Sequence, residues 1–207
     1  MTFARFILVR HGESEANAKQ VFAGQEDSPL TPTGRRQAAA VAHALAREPI
    51  ARVISSDLSR AKDTAEIIAR RHGLRVETTP ALREWDVGEL VGLNREQSLS
   101  RYVDVARLFG PGSRTPGGES FEEVTSRAIG FFEELTPQVL GTTVCVVAHG
   151  MVNRIVAGHY LGTLPRIAQG SSANTNVTVV ETDGRSHRVL KLFDDGHVPS
   201  AAERLEG

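Results

Sequence analysis

Phe6-Ile7-Leu8-Val9-Arg10-His11-Gly12-Glu13 is the stretch that decides how this chain is read. Its apolar run is unbroken and carries β-branched and aromatic residues, the pattern of a strand buried on both faces. The run stops on an Arg-His pair followed by Gly12, a residue type that lets backbone turn sharply or approach a ligand closely. Ser14 and Glu15 then have the chemistry of a helix start. In open α/β sheets, ligands sit beyond the carboxyl ends of the strands, where Arg10 and His11 fall. A cation beside an imidazole at that point suits an anionic ligand. A solvated strand end is the plainer alternative, and this stretch alone leaves both open.

Working outward, the 207 residues fit one α/β domain with an insertion at most, and are enough to bury a sizeable core. A net charge of −1 exerts no global pull toward nucleic acid or an anionic membrane. Any anion site must therefore be a local concentration of arginine. The single cysteine, Cys145, cannot form an internal disulfide and sits within Val144-Cys145-Val146-Val147, so it reads as a buried, inert thiol. No apolar stretch approaches the ~18 residues of a membrane span. The chain enters its first strand with no signal-peptide pattern, so a cytoplasmic location is expected.

Helices and strands alternate after that opening. A short polar helix is expected from Ser14 to about Val21, and Thr31-Pro32 starts another with a hydroxyl cap and a proline at the first helical position. Ala38, Val41, Ala42 and Leu45 mark its buried face. Arg52–Ser56 reads as the second strand. Asp57 is expected to cap the next helix, which buries Ala61, Ala65, Ile68 and Ala69 and stops at Gly73. Leu74–Thr79 gives a third strand. From Leu82 to Leu93 the periodicity fails, as it does in loops that carry function. A helix over about 94–109 and a Gly/Pro-rich loop follow. Ser120 and Glu123 form a capping box for a helix through Leu135. Thr143–Ala148 is a second apolar run that also ends in His-Gly, and Val152–Leu161 reads as the helix behind it. Asn176–Glu181 and His187–Phe193 flank a turn and form a hairpin. The expectation is a three-layer α/β/α sandwich with a mostly parallel sheet and a C-terminal antiparallel hairpin. It would be one domain over residues 1–207, with a lid-like insertion at about 94–118 and a loose tail at about 195–207.

Parallel strands bring their carboxyl ends to one edge, so Arg10, His11, Arg60 and His149 could converge there. In this order and setting they resemble the histidine phosphatase superfamily, also called phosphoglycerate-mutase-like. Its Arg-His-Gly-Glu signature is Arg10 to Glu13, with Asn17 a few residues on. Its Asp-x-Pro-Leu-Thr-x-x-Gly stretch is Asp27 to Gly34. Arg60 lies in the Ser-Ser-Asp-Leu-x-Arg-Ala setting, Glu84 in Leu-x-Glu-x-x-x-Gly-x-x-x-Gly, and His149 is the second histidine.

The resemblance implies a phosphohistidine formed on His11 and a proton donated by Glu84. Arg10, Arg60 and His149 would stabilise charge on the transferring group, with Asn17, Gly24, Gln25 and the Gly150 amide around the substrate. Arginine fits this task because it stays charged and binds phosphoryl oxygens bidentately. No metal or other cofactor is implied, and no His/Cys/Asp spacing suits one. Ala23-Gly24-Gln25 and Trp85-Asp86-Val87-Gly88 depart from the sugar-phosphate mutase patterns, whereas Gly118-Glu119-Ser120 resembles the phosphatase branch. The expected substrate is a small phosphorylated metabolite, and a homodimer is the default assembly. Arg101, Arg107, Phe109 and Arg114 lie in the stretch expected to cover the leaving group; their arginines suggest a polar or additionally anionic substrate, with solvated helix arginines the commoner alternative.

Overall fold

Strand β1 (Ala4–Arg10) runs through the middle of a six-stranded sheet of order β3-β2-β4-β1-β5-β6. The other strands are β2 (Ile50–Ser56), β3 (Val76–Thr79), β4 (Thr143–Ala148), β5 (Val177–Thr182) and β6 (His187–Asp194). The computed structural model describes residues 2–102 and 109–198. β1, β2, β3 and β4 pair in parallel, whereas β5 and β6 are antiparallel. The expected architecture is the observed one.

Alternation along the central strands divides the core in two. Phe6, Leu8, Val144 and Val146 face the helices α5 (Phe121–Leu135) and α6 (Gly150–Tyr160). Ile7, Val9, Cys145 and Val147 face α2 (Pro32–Ala44) and α3 (Ser59–His72). Burying each of the larger side chains contributes about 1.5–3 kcal/mol, so the sheet centre is the most strongly fixed part of the molecule. Burial pushes the Cys145 thiol up to about 12, which leaves it a packing residue. No helix among the described residues is long and apolar enough to cross a membrane.

Several boundaries differ from expectation, each for a local reason. Helix α1 is only Glu15–Ala18, because Gln20 turns into the left-handed region (φ 56°) and the chain leaves to form isolated bridges from Val21 and Phe22 to Asn94 and Val91. Asp57 does not cap α3. Leu58 occupies that position without a side-chain bond, and Asp57 forms a two-pronged ion pair with Arg83 instead. β2 begins at Ile50, β3 at Val76, and α6 at Gly150, directly after His149. In the lid-like stretch, helix α4 covers Arg95–Arg101 and Tyr102 leaves it in an extended conformation. The rest of the expected helix, Arg107 included, and the tail beyond Val198 lie outside the described residues.

Candidate active site

The register of the two central strands brings the histidines together. Arg10 of β1 pairs with Ala148 of β4, so the next residue on each strand emerges at the same level, and the His11 amide donates to the Ala148 carbonyl at 3.0 Å. The rings of His11 and His149 meet edge to face with centroids 5.1 Å apart. Gly12 then turns the chain tightly: a Cβ there would lie 2.4 Å from the Gly34 carbonyl oxygen, so no larger residue fits without moving backbone. The Gly12 amide donates to Thr64 Oγ1 at 3.0 Å, which ties the turn to α3.

His11 Nδ1 lies 2.7 Å from the Gly12 carbonyl oxygen. A carbonyl can only accept, so Nδ1 carries the proton and Nε2 presents a lone pair. Burial, then the charges of Arg60 and Arg10, hold the His11 imidazole well below its ordinary value of 6.5. His149 is fully buried and held low in the same way, first by burial and then by Arg60 and His11. Neither of its ring nitrogens has a hydrogen-bond partner, nor has the buried Arg10 Nε. Buried polar atoms are seldom left unpaired: Arg10 Nε and the one protonated nitrogen of the neutral His149 ring are donors without a protein partner, although His149 itself lies off the lining of the adjoining cleft.

The two arginines are held by carbonyl groups rather than by carboxylates. Arg60 is 2 % exposed and donates to Gly24 O at 2.7 Å and Glu26 O at 2.9 Å. Arg10 donates to the carbonyl of Ser172. Burial presses both guanidinium groups down and the charge of Glu84 pushes back. Arg10, His11, Ser14, Asn17, Arg60 and Glu84 line one end of a cleft of about 260 Å³. Two cations there face one carboxylate, a local surplus that favours an anion in a chain of nearly neutral total charge.

Glu84 sits at the start of the aperiodic loop, its carboxylate accepting from the Trp85 amide (2.9 Å) and, at the N-terminus of α6, from the Met151 amide (3.1 Å). Its acidic neighbours serve the loop itself: Asp86 accepts from the Gly88 amide and Glu89 from the Tyr102 hydroxyl. Gly88 has φ 50°, and a Cβ there would meet the Pro116 carbonyl oxygen at 2.1 Å. The loop is thereby closed against residues 115–119, with Glu89 N to Pro116 O at 2.8 Å and Glu119 N to Asp86 O at 3.0 Å.

The remaining expected residues are placed unevenly. The Asn17 side-chain oxygen accepts from the Ser14 amide and from Asn174 Nδ2, which directs its amino group away from those donors at the edge of the cleft. Gly24 lines the cleft and supplies a carbonyl to Arg60. Gln25 does not line it; its amide donates to the Glu84 carbonyl and to Glu119. Gly150 lies just behind, a Cβ there being 3.5 Å from Arg10 Nε and 3.8 Å from Glu84. The expected cation over the leaving group is not found among the described residues: Arg101 lies off the lining and Arg114 pairs with Glu123.

Two groups of residues were not legible beforehand. Arg127 on α5 donates to both carboxylate oxygens of Glu119 (2.7 and 2.8 Å) and to the carbonyls of Ala81, Arg83 and Glu84 (3.0, 2.6 and 2.9 Å). It clamps the backbone from Ala81 through Glu84. Asn174 joins the His11 carbonyl to Asn17. Arg127 lies on a helix beside Glu122 and Glu123 and reads as a solvated charge, and the segment before Asn174 has no pattern at all.

A mixed α/β sheet with paired imidazoles, guanidinium groups and a carboxylate beyond its strand ends defines a phosphoryl-binding protein class. Comparison with known proteins narrows it. Residues 6–195 match the histidine phosphatase superfamily (branch 1), and the chain belongs to that superfamily. It is 38% identical over 179 residues to a protein of Photorhabdus laumondii named probable phosphoglycerate mutase GpmB, covering 85% of this chain and 83% of the relative. It is 36% identical over 205 residues to the metal-independent phosphoserine phosphatase of Arabidopsis thaliana, covering 94% and 83%. The mycobacterial glucosyl-3-phosphoglycerate phosphatase, solved in complex with VO3, superposes with a TM-score of 0.84 at 28% identity, over 92% of this chain and 99% of that one.

Proposed function

We propose that the protein is a metal-independent phosphatase that hydrolyses a small phosphomonoester through a phosphohistidine on His11. The observation that carries this reading is the His11 ring: Nδ1 fixed on the Gly12 carbonyl, Nε2 unprotonated, and both buried arginines beside it. His11 Nε2 attacks phosphorus and the ester P–O bond breaks. The bound phosphate dianion favours a protonated Glu84 beside it by like-charge repulsion; Glu84 gives that proton to the departing alcohol oxygen, and the imidazolium formed on His11 keeps its Nδ1–H on the Gly12 carbonyl. Ionised Glu84 then takes a proton from water, whose oxygen attacks phosphorus; the P–N bond breaks and inorganic phosphate leaves. Arg10, Arg60 and His149 stabilise charge on the phosphoryl oxygens throughout.

Phosphatase names among the relatives support the hydrolase reading, and those called mutases support a second one, in which the phosphoryl group returns to substrate. Phosphate release from a panel of phosphomonoesters, with and without EDTA, tests the first. Turnover that is insensitive to EDTA and absent in His11→Ala is expected. Interconversion of 2- and 3-phosphoglycerate faster than phosphate release would establish the mutase reading instead.

A further inference from the structure

The two ends of the cleft differ in chemistry. Beyond the phosphate-facing groups, the described residues of its walls include Val21, Phe22, Trp85, Val87, Phe109 and Met151, and none of these carries a charge. Phe22 and Phe109 stack with centroids 5.7 Å apart at 24°, and Trp85 meets Phe109 edge-on at 5.3 Å. Among the described residues, Arg83 is paired with Asp57 and Arg114 with Glu123. A carboxylate carried on the leaving group would find no cationic partner at this end among the described residues, and an unpaired charge in an apolar site is strongly disfavoured.

We propose that this end of the cleft is a binding site for an apolar alcohol, so that the protein selects phosphomonoesters of small aryl or arylalkyl alcohols over carboxylate-bearing ones such as phosphoglycerate or phosphoserine. A ring slides against the Phe22 and Phe109 faces while its oxygen stays with Glu84. The cleft measures about 260 Å³ with its phosphate end included, room for a phosphoryl group and a single ring. The selection rests on the phosphatase reading for its turnover, but the apolar site itself does not.

Two measurements on the full chain separate these claims. The first compares kcat/KM for 2-phenylethyl phosphate, 3-phosphoglycerate and phosphoserine, all esters of alkyl alcohols, so that leaving-group reactivity does not decide the order. A preference of about 10- to 100-fold for the phenylethyl ester is expected from burying one ring. The second compares dissociation constants of the non-hydrolysable 2-phenylethylphosphonate and 3-phosphonopropionate by calorimetry, with the phenylethyl compound about 10-fold tighter. Phe22→Ala, checked for an unchanged unfolding transition, should shrink both preferences, and Phe22→Arg should reverse them. Hydrolysis with equal or reversed preference overturns the apolar site and leaves the phosphatase. An intact phosphonate preference with no turnover of any ester overturns the phosphatase and leaves the site.

Discussion

The phosphate end of the cleft and its leaving-group end are built by different rules. The first is assembled from strand ends whose positions the β1–β4 register dictates, and its polar groups are fixed by backbone carbonyls and amides. The second is made mostly of loop side chains packed on one another, with Met151 of α6, and its aromatic rings contact each other while Trp85 Nε1 donates to the Glu119 carbonyl. A site on the sheet edge inherits the rigidity of the core, whereas a site on loops can change its lining without disturbing the chemistry. The phosphate end would therefore carry the reaction and the other end the choice of substrate.

The largest effect should come from the nucleophile. His11→Ala is expected to lower kcat/KM by about 10⁴-fold or more for every ester, since it removes the covalent step. Residual activity within tenfold of the parent would dissolve the distinction between the two ends. In kcat/KM, which reports phosphorylation of the enzyme and not the later hydrolysis, Glu84→Gln should cost about 10²–10³-fold with an alkyl ester and much less with 4-nitrophenyl phosphate, whose leaving group needs no proton. Equal losses on both would show Glu84 acting on something other than the departing oxygen.

Arg127 sharpens the comparison because it touches neither end and holds the Glu84 backbone from behind. Arg127→Ala should reduce kcat by about 10-fold while leaving KM nearly unchanged. It should also lessen the contrast between alkyl and 4-nitrophenyl esters that marks proton donation, and Arg127→Lys should recover part of the loss. A uniform fall in KM-independent stability with kcat intact would assign it to folding alone.

The smallest effect concerns pH. His11 and His149 are both held below 6.5 in the folded protein, so below that pH the unfolded chain binds more protons than the folded one. Stability should therefore be full above pH 6.5 and decline as pH falls below it, by up to about 1 kcal/mol per pH unit for each ring. His159 and His197, also held low by burial, add in the same direction. Urea unfolding between pH 7 and pH 5 should show this slope, reduced in His149→Gln. A slope that is flat, or of the opposite sign, would mean that the rings are charged in the fold.

How far the sequence reveals this molecule depends on the range over which each feature is determined. The buried runs at Phe6–Val9 and Val144–Val147 announce the parallel core, because continuous apolar sequence has few other uses in an α/β chain. The meeting of His11 with His149 follows once both runs are strands. Gln25 was misplaced because a loop residue beside a glycine carries no information about the side to which its amide turns. Asp57 reads as a helix cap from local sequence because its ion pair with Arg83 is non-local. Arg127 escaped for the same reason, since its five acceptors come from two other segments. The apolar end was obscured by arginines whose partners, or whose distance from the cleft, only the fold reveals.

The central claim is that Nε2 of His11 accepts the phosphoryl group. Rapid acid-free quenching during turnover of a phosphomonoester, followed by peptide mass spectrometry, tests it directly. One added phosphoryl group is expected on the peptide containing His11, removed by brief acid treatment and missing in His11→Ala. A phosphoryl group on another residue, or steady turnover in the His11→Ala protein, would contradict it.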